Sequence, residues 1–376
     1  MFENLTKWFS IAKKMGIPSM HCVVMYKGER VYDRRSGYRD EQGTALSGNE
    51  LYNIYSCSKP ITCALALRLY EKGLFKLTDD LAEYMPEFSD MHVLQNGAIV
   101  KAENKIKVKD LFAMTAGFDY DLTAKEIQLA VKETDGKCPT REVIKYLAKK
   151  PLCFEPSTGW KYSLCHDVLA GLIEVISGEK FGDYAKRVLF EPLAMRDTSF
   201  LLTEEKKDRL AEQYRYFPET KSYKNIGKTT NPYRFGTEYE SGGAGAISCV
   251  DDYIKFLEGL RTEKIISQET LTEMTTDTLT NEQRKGYTMC AKDYGFGLGV
   301  RCPMPSGNRT DFGWGGAGGA FLAVDMNKEI TMFHAQHVFN APTHNIRKDL
   351  IEATKLDLGF SAFEEDMWQG SGSVLA

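Results

Sequence analysis

Two blocks of β-type sequence, one near each end of a 376-residue chain, enclose a long stretch of helical periodicity and predict an α+β fold. The sheet is expected to be antiparallel, assembled from both termini and flanked by their helices. On this reading residues 1–73 and 285–376 form a discontinuous sheet domain. Residues 74–284 form an inserted, mostly helical domain, and a site lies at the interface of the two.

The elements follow in order. Phe2, Leu5, Trp8, Phe9 and Ala12 recur at helical spacing, which predicts an amphipathic helix packed on a sheet. Glu3, Lys7, Lys13 and Lys14 break its apolar run, so it does not read as an export signal. Two β-rich runs then flank Lys27-Gly28, a tight-turn signal, and predict a hairpin. Ile61–Leu69 has helical spacing, with Gly73 as its stop. In the middle, VKDLFAMTAG, REVIKYLAKK, DVLAGLIEVISG, FGDYAKRVLF and DDYIKFLEGL read as helices. The polar stretch Thr203–Ser241 has little periodicity and reads either as a loop over a site or as an exposed excursion. YGFGLGVRC, FLAVDMN and EITMFHAQHV read as strands, with a turn at Asn327-Lys328 and a closing helix around His344–Leu356.

Composition narrows the function classes. Hydrophobic residues make up 43% and charged residues 27%, the balance of a globular protein. With 48 basic against 52 acidic residues there is no cationic excess for a nucleic-acid backbone. No apolar run reaches the ~18–20 residues of a membrane span. The nine cysteines are odd in number and contain no C-x-x-C, which argues against a disulfide framework or zinc knuckle and leads us to expect a cytoplasmic setting. His334, His337 and His344 do not form H-E-x-x-H and have no matching Glu or Cys set, so no metal is expected, and no motif implies a cofactor. Oligomeric state is not readable.

The chemistry-bearing signal is Ser56-Cys57-Ser58-Lys59. Acyl transfer through serine needs a hydroxyl, a nearby base and amide donors for the oxyanion. At i and i+3 in a helix, Lys59 can reach back to the Ser56 hydroxyl, and the helix N-terminus favours an alkoxide there. The same S-x-x-K spacing occurs at Ser10–Lys13 and Ser177–Lys180, but only Ser56 lies between a strand-like segment and an apolar helix. Ser58 has Ile61, not a base, three residues on. Cys57 reads as packing, and G-x-S-x-G is absent.

With its flanks, YSCSKPITCALALRLYEKGLFKLTDDLAEYMPEF resembles the nucleophile helix and following loop of the serine β-lactamase and penicillin-binding-protein superfamily. KVKDLFAMTAGF, FEPSTGWKYSL and RTDFGWGGAGGAFLAVD resemble its later segments in the correct order. EPLAMRDTSF and GGAGAISCVDDYIKFL are similar to its class C-like branch. The resemblance implies a serine β-lactamase/transpeptidase-like fold, with Tyr162 as the general base that accepts the Ser56 proton. A free phenol is a poor base near neutral pH unless a cation stabilises its anion, and Lys59 is placed for that. It also implies an oxyanion hole from the amides of Ser56 and Ala317.

Two departures bear on the substrate. Leu164 stands where the lactamases and peptidases carry an amide-binding Asn. Trp314-Gly315-Gly316 replaces Lys-Thr-Gly, whose lysine attracts a carboxylate. Lys228-Thr229-Thr230 is the nearest K-T-G and lies in polar loop, and Ser89-Asp90 is followed by Met91, so S-D-N is missing too. The variant motifs resemble carboxylesterases of the family VIII type and related acyltransferases. They lead us to expect a neutral ester or other small acyl donor, unless Arg301 or Lys292 restores an anion site. Hydrolysis is the first expectation, transfer to an alcohol or amine the alternative, and a β-lactamase or DD-peptidase activity or a non-catalytic binding fold less favoured. Tyr120, Trp160, Tyr233 and Trp314 are the candidate pocket aromatics, with Leu164, Gly315 and Gly316 beside them.

Overall fold

The computed structural model describes residues 2–290, 294–305 and 307–361. Its main sheet has seven antiparallel strands: β1 (Ser19–Tyr26), β2 (Glu29–Gly37), β3 (Tyr294–Phe296), β4 (Arg301–Pro303), β5 (Asp311–Gly315), β6 (Phe321–Asp325) and β7 (Ile330–Gln336), in the order β2-β1-β7-β6-β5-β4-β3. The N-terminal hairpin closes through Lys27 and Gly28, both at positive φ (52° and 80°), the two-residue turn whose twist matches its strands. β1 pairs with β7 from Met20↔Gln336 to Tyr26↔Ile330, which stitches the two ends of the chain into one sheet.

The strand period of two sends alternate residues to opposite faces, and each face has its own cover. Met20, Cys22 and Val24 pack with Leu5, Trp8 and Phe9 of the amphipathic helix α1 (Glu3–Lys14) and with Leu350 and Ile351 near the C-terminus. Val23 and Phe333 belong instead to the larger core, with Ile61 and Leu65 of α2 (Ser58–Glu71), Leu169 of α3 (Cys165–Ser177) and Tyr253 of α4 (Val250–Arg261). The Tyr253 ring stacks on Phe333 at 4.1 Å. α2 stops as expected, with Gly73 at φ 69° donating to the Tyr70 carbonyl.

At the far end of the sheet a buried ionic cluster ties the strands to the last helix, α5 (Asp349–Asp357). Arg301 pairs with Asp311 at 2.7 Å, Lys355 with Asp311 at 3.2 Å and Glu352 at 3.3 Å, and Arg309 with Glu352 at 2.8 Å. Burial alone would raise the Asp311 pKa, but Arg301 and Lys355 outweigh it and bring it to about 2.

The middle of the chain is less purely helical than the sequence suggests. It holds short strands at His92–Gln95, Ala98–Lys101, Tyr214–Phe217, Ser222–Asn225 and Ile247–Ser248, and a helix at Lys125–Glu133 that the periodicity does not announce. The stretch 203–241 contains the Tyr214–Phe217/Ser222–Asn225 hairpin, which pairs with Val338–Phe339. Strands of two to four residues are too short to show a period. The expected strand YGFGLGVRC is split into β3 and β4 by a turn at Leu298–Gly299.

Three fully buried imidazoles give the fold a defined acid sensitivity. Burial pushes His166 to about 3, and His334 and His337 to about 4 each. Their unfolded pKa is near ~6.5, so the unfolded chain binds more protons below that value. Stability from keeping them neutral is complete above about pH 6.5 and declines as pH falls toward about 4, by up to ~4 kcal/mol per pH unit for three groups. Urea midpoints are expected to be flat above neutrality and to fall from pH 6.5 to 5, before most carboxylates titrate. A midpoint unchanged over that interval would contradict the assignment.

Candidate active site

The site begins where the short strand Tyr52–Asn53 runs into α2. The strand pairs with Ile247–Ser248, and a 3₁₀ turn at Tyr55–Cys57 presents Ser56 ahead of the helix. Tyr55 takes φ 49°, an unfavourable backbone conformation for a bulky residue, immediately before the candidate nucleophile. Ser58 is used structurally: its hydroxyl donates to the Tyr55 carbonyl at 2.6 Å and accepts from the Ala246 amide at 3.0 Å.

Four segments converge on Ser56. The Tyr162 hydroxyl donates to Ser56 Oγ at 2.6 Å, and Lys59 Nζ reaches the same oxygen at 3.3 Å. Lys59 is fully buried; it also donates to the Gly243 carbonyl at 2.7 Å and meets Tyr120 OH at 3.3 Å. Its ammonium lies 4.6 Å from the Tyr162 ring centroid and 5.2 Å from that of Tyr120, whose rings stack 5.3 Å apart. Trp314 Nε1 donates to Tyr162 OH at 3.3 Å, so the phenol oxygen is held from the sheet side as well. Burial, followed by the nearby Asp167 charge, pushes the Tyr120 pKa well above 10 and keeps it a neutral phenol.

Asp167 completes this region from α3. Oδ1 accepts from Ser241 at 2.6 Å and Tyr239 at 2.9 Å, while Oδ2 is buried without a hydrogen bond. Burial raises its pKa, and Ser241, Lys59 and Tyr239 pull it down. A Cβ on Gly243 would lie 2.5 Å from Asp167 Oδ2, 3.2 Å from Tyr120 OH and 3.4 Å from Lys59 Nζ. The missing side chain therefore lets three polar groups meet.

The end of β5 supplies the opposite wall. A Cβ on Gly316 would collide with the Ile54 carbonyl oxygen, so glycine permits this backbone to close on the segment carrying Ser56. Ala317 follows directly, and no backbone bond from its amide occurs among the described residues. Ser56, Tyr162, Tyr233, Trp314, Gly315, Gly316 and Ala317 line one cavity of about 300 Å³.

Three candidate pocket residues lie off its wall. Tyr120 is behind it, against Lys59. Trp160 is buried behind Tyr162, packed on Tyr287 and Phe296 at 4.9 and 5.5 Å. Leu164 caps α3 and sits in the core, where an apolar side chain is at home. Tyr233, from the polar 203–241 stretch, does reach the cavity. Sequence reasoning missed Arg347 and His344 in the wall, since nothing local distinguishes an arginine ahead of a final helix. Arg301 is held by Asp311 beneath the Tyr294 ring at 4.1 Å, and Lys292 lies outside the described residues.

Other nucleophiles and ligands are engaged. Burial pushes the Cys57 thiol up to about 12, and Cys63, 3.5 Å from His166 Nε2, well above its usual value. Asp197, Cys249 and Asp252 form a cluster of potential metal ligands, but Asp197 is bidentate to Arg209 at 2.6 and 2.8 Å. Asp252 accepts from the Asp197 amide at 2.7 Å. Among the described residues no helix is long and apolar enough to cross a membrane.

A serine on a helix-leading turn, a lysine one turn on, a tyrosine from an inserted region and a glycine-rich sheet edge define the active-site-serine superfamily of β-lactamases and penicillin-binding proteins. The Beta-lactamase family profile matches residues 10–354, and the chain belongs to that family. It is 29% identical to esterase EstB of Burkholderia gladioli over 273 residues, 67% of this chain and 68% of that protein. Its fold is similar to that of EstCE1, described as a hydrolase with promiscuous acyltransferase activity, with TM-score 0.77, 24% identity and coverage of 95% of this chain and 99% of the other. Simvastatin synthase LovD of Aspergillus terreus gives TM-score 0.78 at 20% identity, covering 94% and 96%.

Gly316→Ala should be disruptive despite adding one methyl, because the atom it meets is backbone. The expected cost is about 1–3 kcal/mol of stability together with loss of the Ser56–Ala317 alignment. Urea denaturation of the variant beside the parent checks this; equal midpoints would show that the contact is not tight.

Proposed function

We propose that the protein is a serine carboxylesterase whose acyl-enzyme forms on Ser56. The observation that carries this reading is the Tyr162 hydroxyl 2.6 Å from Ser56 Oγ, with Lys59 Nζ 3.3 Å from the same atom. Acting as the phenolate that the Lys59 ammonium faces, Tyr162 takes the Ser56 proton as Oγ attacks the ester carbonyl. The amides of Ser56 and Ala317 receive the developing oxyanion. Tyr162 returns the proton to the leaving alkoxide, and water, deprotonated by the same unit, releases the acid. The esterase name of EstB supports ester chemistry over lactam chemistry, as do Leu164 and Trp314 at the motif positions of an amide clamp and a lysine.

A second reading is transfer of the acyl group to an alcohol or amine. It is favoured by the wide aromatic-walled cavity over Ser56, which can hold an acceptor in place of water, and by the promiscuous acyltransferase activity of the structurally similar EstCE1.

Turnover of 4-nitrophenyl butyrate by the purified protein and its Ser56→Ala variant tests the mechanism. The parent should be active and the variant should lose roughly 10³-fold or more in kcat. Equal activity in both would remove Ser56 from the mechanism. Tyr162→Phe should cost a comparable factor, about 10²–10⁴-fold, because among the described residues no other group lies as close to Ser56 Oγ. Added butanol should divert product from butyric acid to butyl butyrate if transfer competes with hydrolysis.

A further inference from the structure

The wall of the Ser56 cavity carries a thiol that the proposed reaction does not use. Seven of the nine cysteines are buried, and Cys153 and Cys290 are half-buried. Cys290 lines the cavity together with Ser56, Arg301 and Trp314, and Cys153 does not. Cys153 is engaged elsewhere, by Lys161 Nζ at 3.3 Å and by Asp119 at 3.8 Å. Among the described residues the cavity therefore gives a small reagent that reaches Ser56 a route to one thiol.

Two hydrogen-bond donors beside Cys290 lack acceptors. The Tyr287 hydroxyl is buried and makes no hydrogen bond of normal geometry. Its ring is fixed by Trp160 at 4.9 Å and Phe296 at 5.6 Å, which keeps the hydroxyl from swinging out to solvent. Burial pushes this phenol up, and the Cys290 thiol, three residues on, is the next largest influence on it. Arg301, only 6% exposed, donates from Nη2 to Asp311 at 2.7 Å, while its Nη1 is buried without a partner. Burial would lower the Arg301 pKa, and Tyr294, Asp311 and Cys290 more than restore it. Buried donors without acceptors are rare in folded proteins. A free ligand finds no open surface on either atom. An oxygen carried on the neighbouring sulfur is the acceptor this arrangement lacks.

We propose that Cys290 is a redox modification site: hydrogen peroxide oxidises it to a sulfenic acid whose oxygen accepts from Tyr287 and Arg301, and the oxidised residue obstructs the cavity over Ser56. In this step the Cys290 sulfur attacks one peroxide oxygen. An S–O bond forms and the O–O bond breaks, so sulfur is oxidised by two electrons and peroxide is reduced. The departing hydroxide takes the thiol proton and leaves as water. A small thiol reverses the change. It attacks the sulfenic sulfur, expels water and forms a mixed disulfide, from which a second thiol releases Cys290. Oxidation places a polar oxygen in a wall that Met289, Trp314 and Phe321 otherwise keep apolar. The chemistry at sulfur is independent of the esterase reading; the loss of turnover rests on it.

The test exposes the reduced protein to hydrogen peroxide with dimedone present to trap sulfenic acid, and reads the labelled peptides by mass spectrometry. Parallel samples without dimedone are assayed with 4-nitrophenyl butyrate, each protein against its own untreated rate. Cys290 should be labelled about tenfold faster than Cys153. Turnover should fall as Cys290 is oxidised and return in dithiothreitol, and Cys290→Ser should keep its rate under the same treatment. Tyr287→Phe removes one donor and should lower the Cys290-to-Cys153 labelling ratio several-fold; taking the ratio within one protein cancels any general loosening. Absence of a Cys290 adduct, faster labelling of Cys153, an unchanged ratio in Y287F, or full turnover with Cys290 oxidised each overturns the inference. So does a loss that persists in C290S or resists dithiothreitol, since the target is then the exposed Met289 thioether on the same wall, whose sulfoxide dithiothreitol does not readily reduce. If the untreated protein has no turnover the esterase reading fails, and trapping at Cys290 decides the modification site by itself.

Discussion

One buried ammonium group organises the centre of this molecule. Lys59 is closed off from solvent, and a desolvated cation costs several kcal/mol unless its surroundings replace the lost water. The replacement comes from distant parts of the chain: the Gly243 carbonyl, the Tyr120 and Ser56 hydroxyls and two stacked phenol rings. Asp167, buried with one free oxygen, adds a compensating charge from α3. Segments around residues 120, 162, 167 and 243 therefore pack where they do partly because each answers the same charge, and the region between the two sheet-forming ends is drawn onto α2.

The second constraint is a close backbone approach. Gly316 presses β5 against the Ile54 carbonyl, which brings a sheet edge to the turn that carries Ser56. The proposed reaction centre thus lies where the turn carrying the serine, the sheet edge and the segment carrying the tyrosine come together. The Trp314 indole bridges them by donating to Tyr162. A tryptophan there performs a positioning task that a lysine of a Lys-Thr-Gly motif could not do without adding a second cation beside Lys59.

How much of this was legible depended on how local each signal was. Ser56 and Lys59 are three residues apart, so helix geometry alone predicts that they meet. The β1–β2 hairpin and α1 were readable because a turn dipeptide and a 3.6-residue period are local properties. Tyr162, Trp314 and Ala317 lie 106, 258 and 261 positions from Ser56 by residue number, and only resemblance to a family linked them to it. Leu164 was expected at the pocket because it holds the motif position of an amide-binding Asn, and Trp160 as one of the candidate aromatics, yet Leu164 caps α3 facing the core and Trp160 packs behind Tyr162. The short strands of residues 92–101 and 214–225 escaped notice because four residues do not establish an alternation.

Residue order along the chain was enough for the α+β class, the sheet built from both ends, the nucleophile–lysine pair and the lack of a motif lysine opposite it. Each is set by composition, by periodicity or by a spacing of a few residues. It took the packed molecule to establish that Tyr120 and Asp167 lie around the Lys59 charge, that Tyr233 crosses into the cavity and that Arg347 lines the same cavity. Those assignments depend on which surfaces are left uncovered when helices and strands pack, and a guanidinium's partners are settled by packing rather than by its neighbours along the chain.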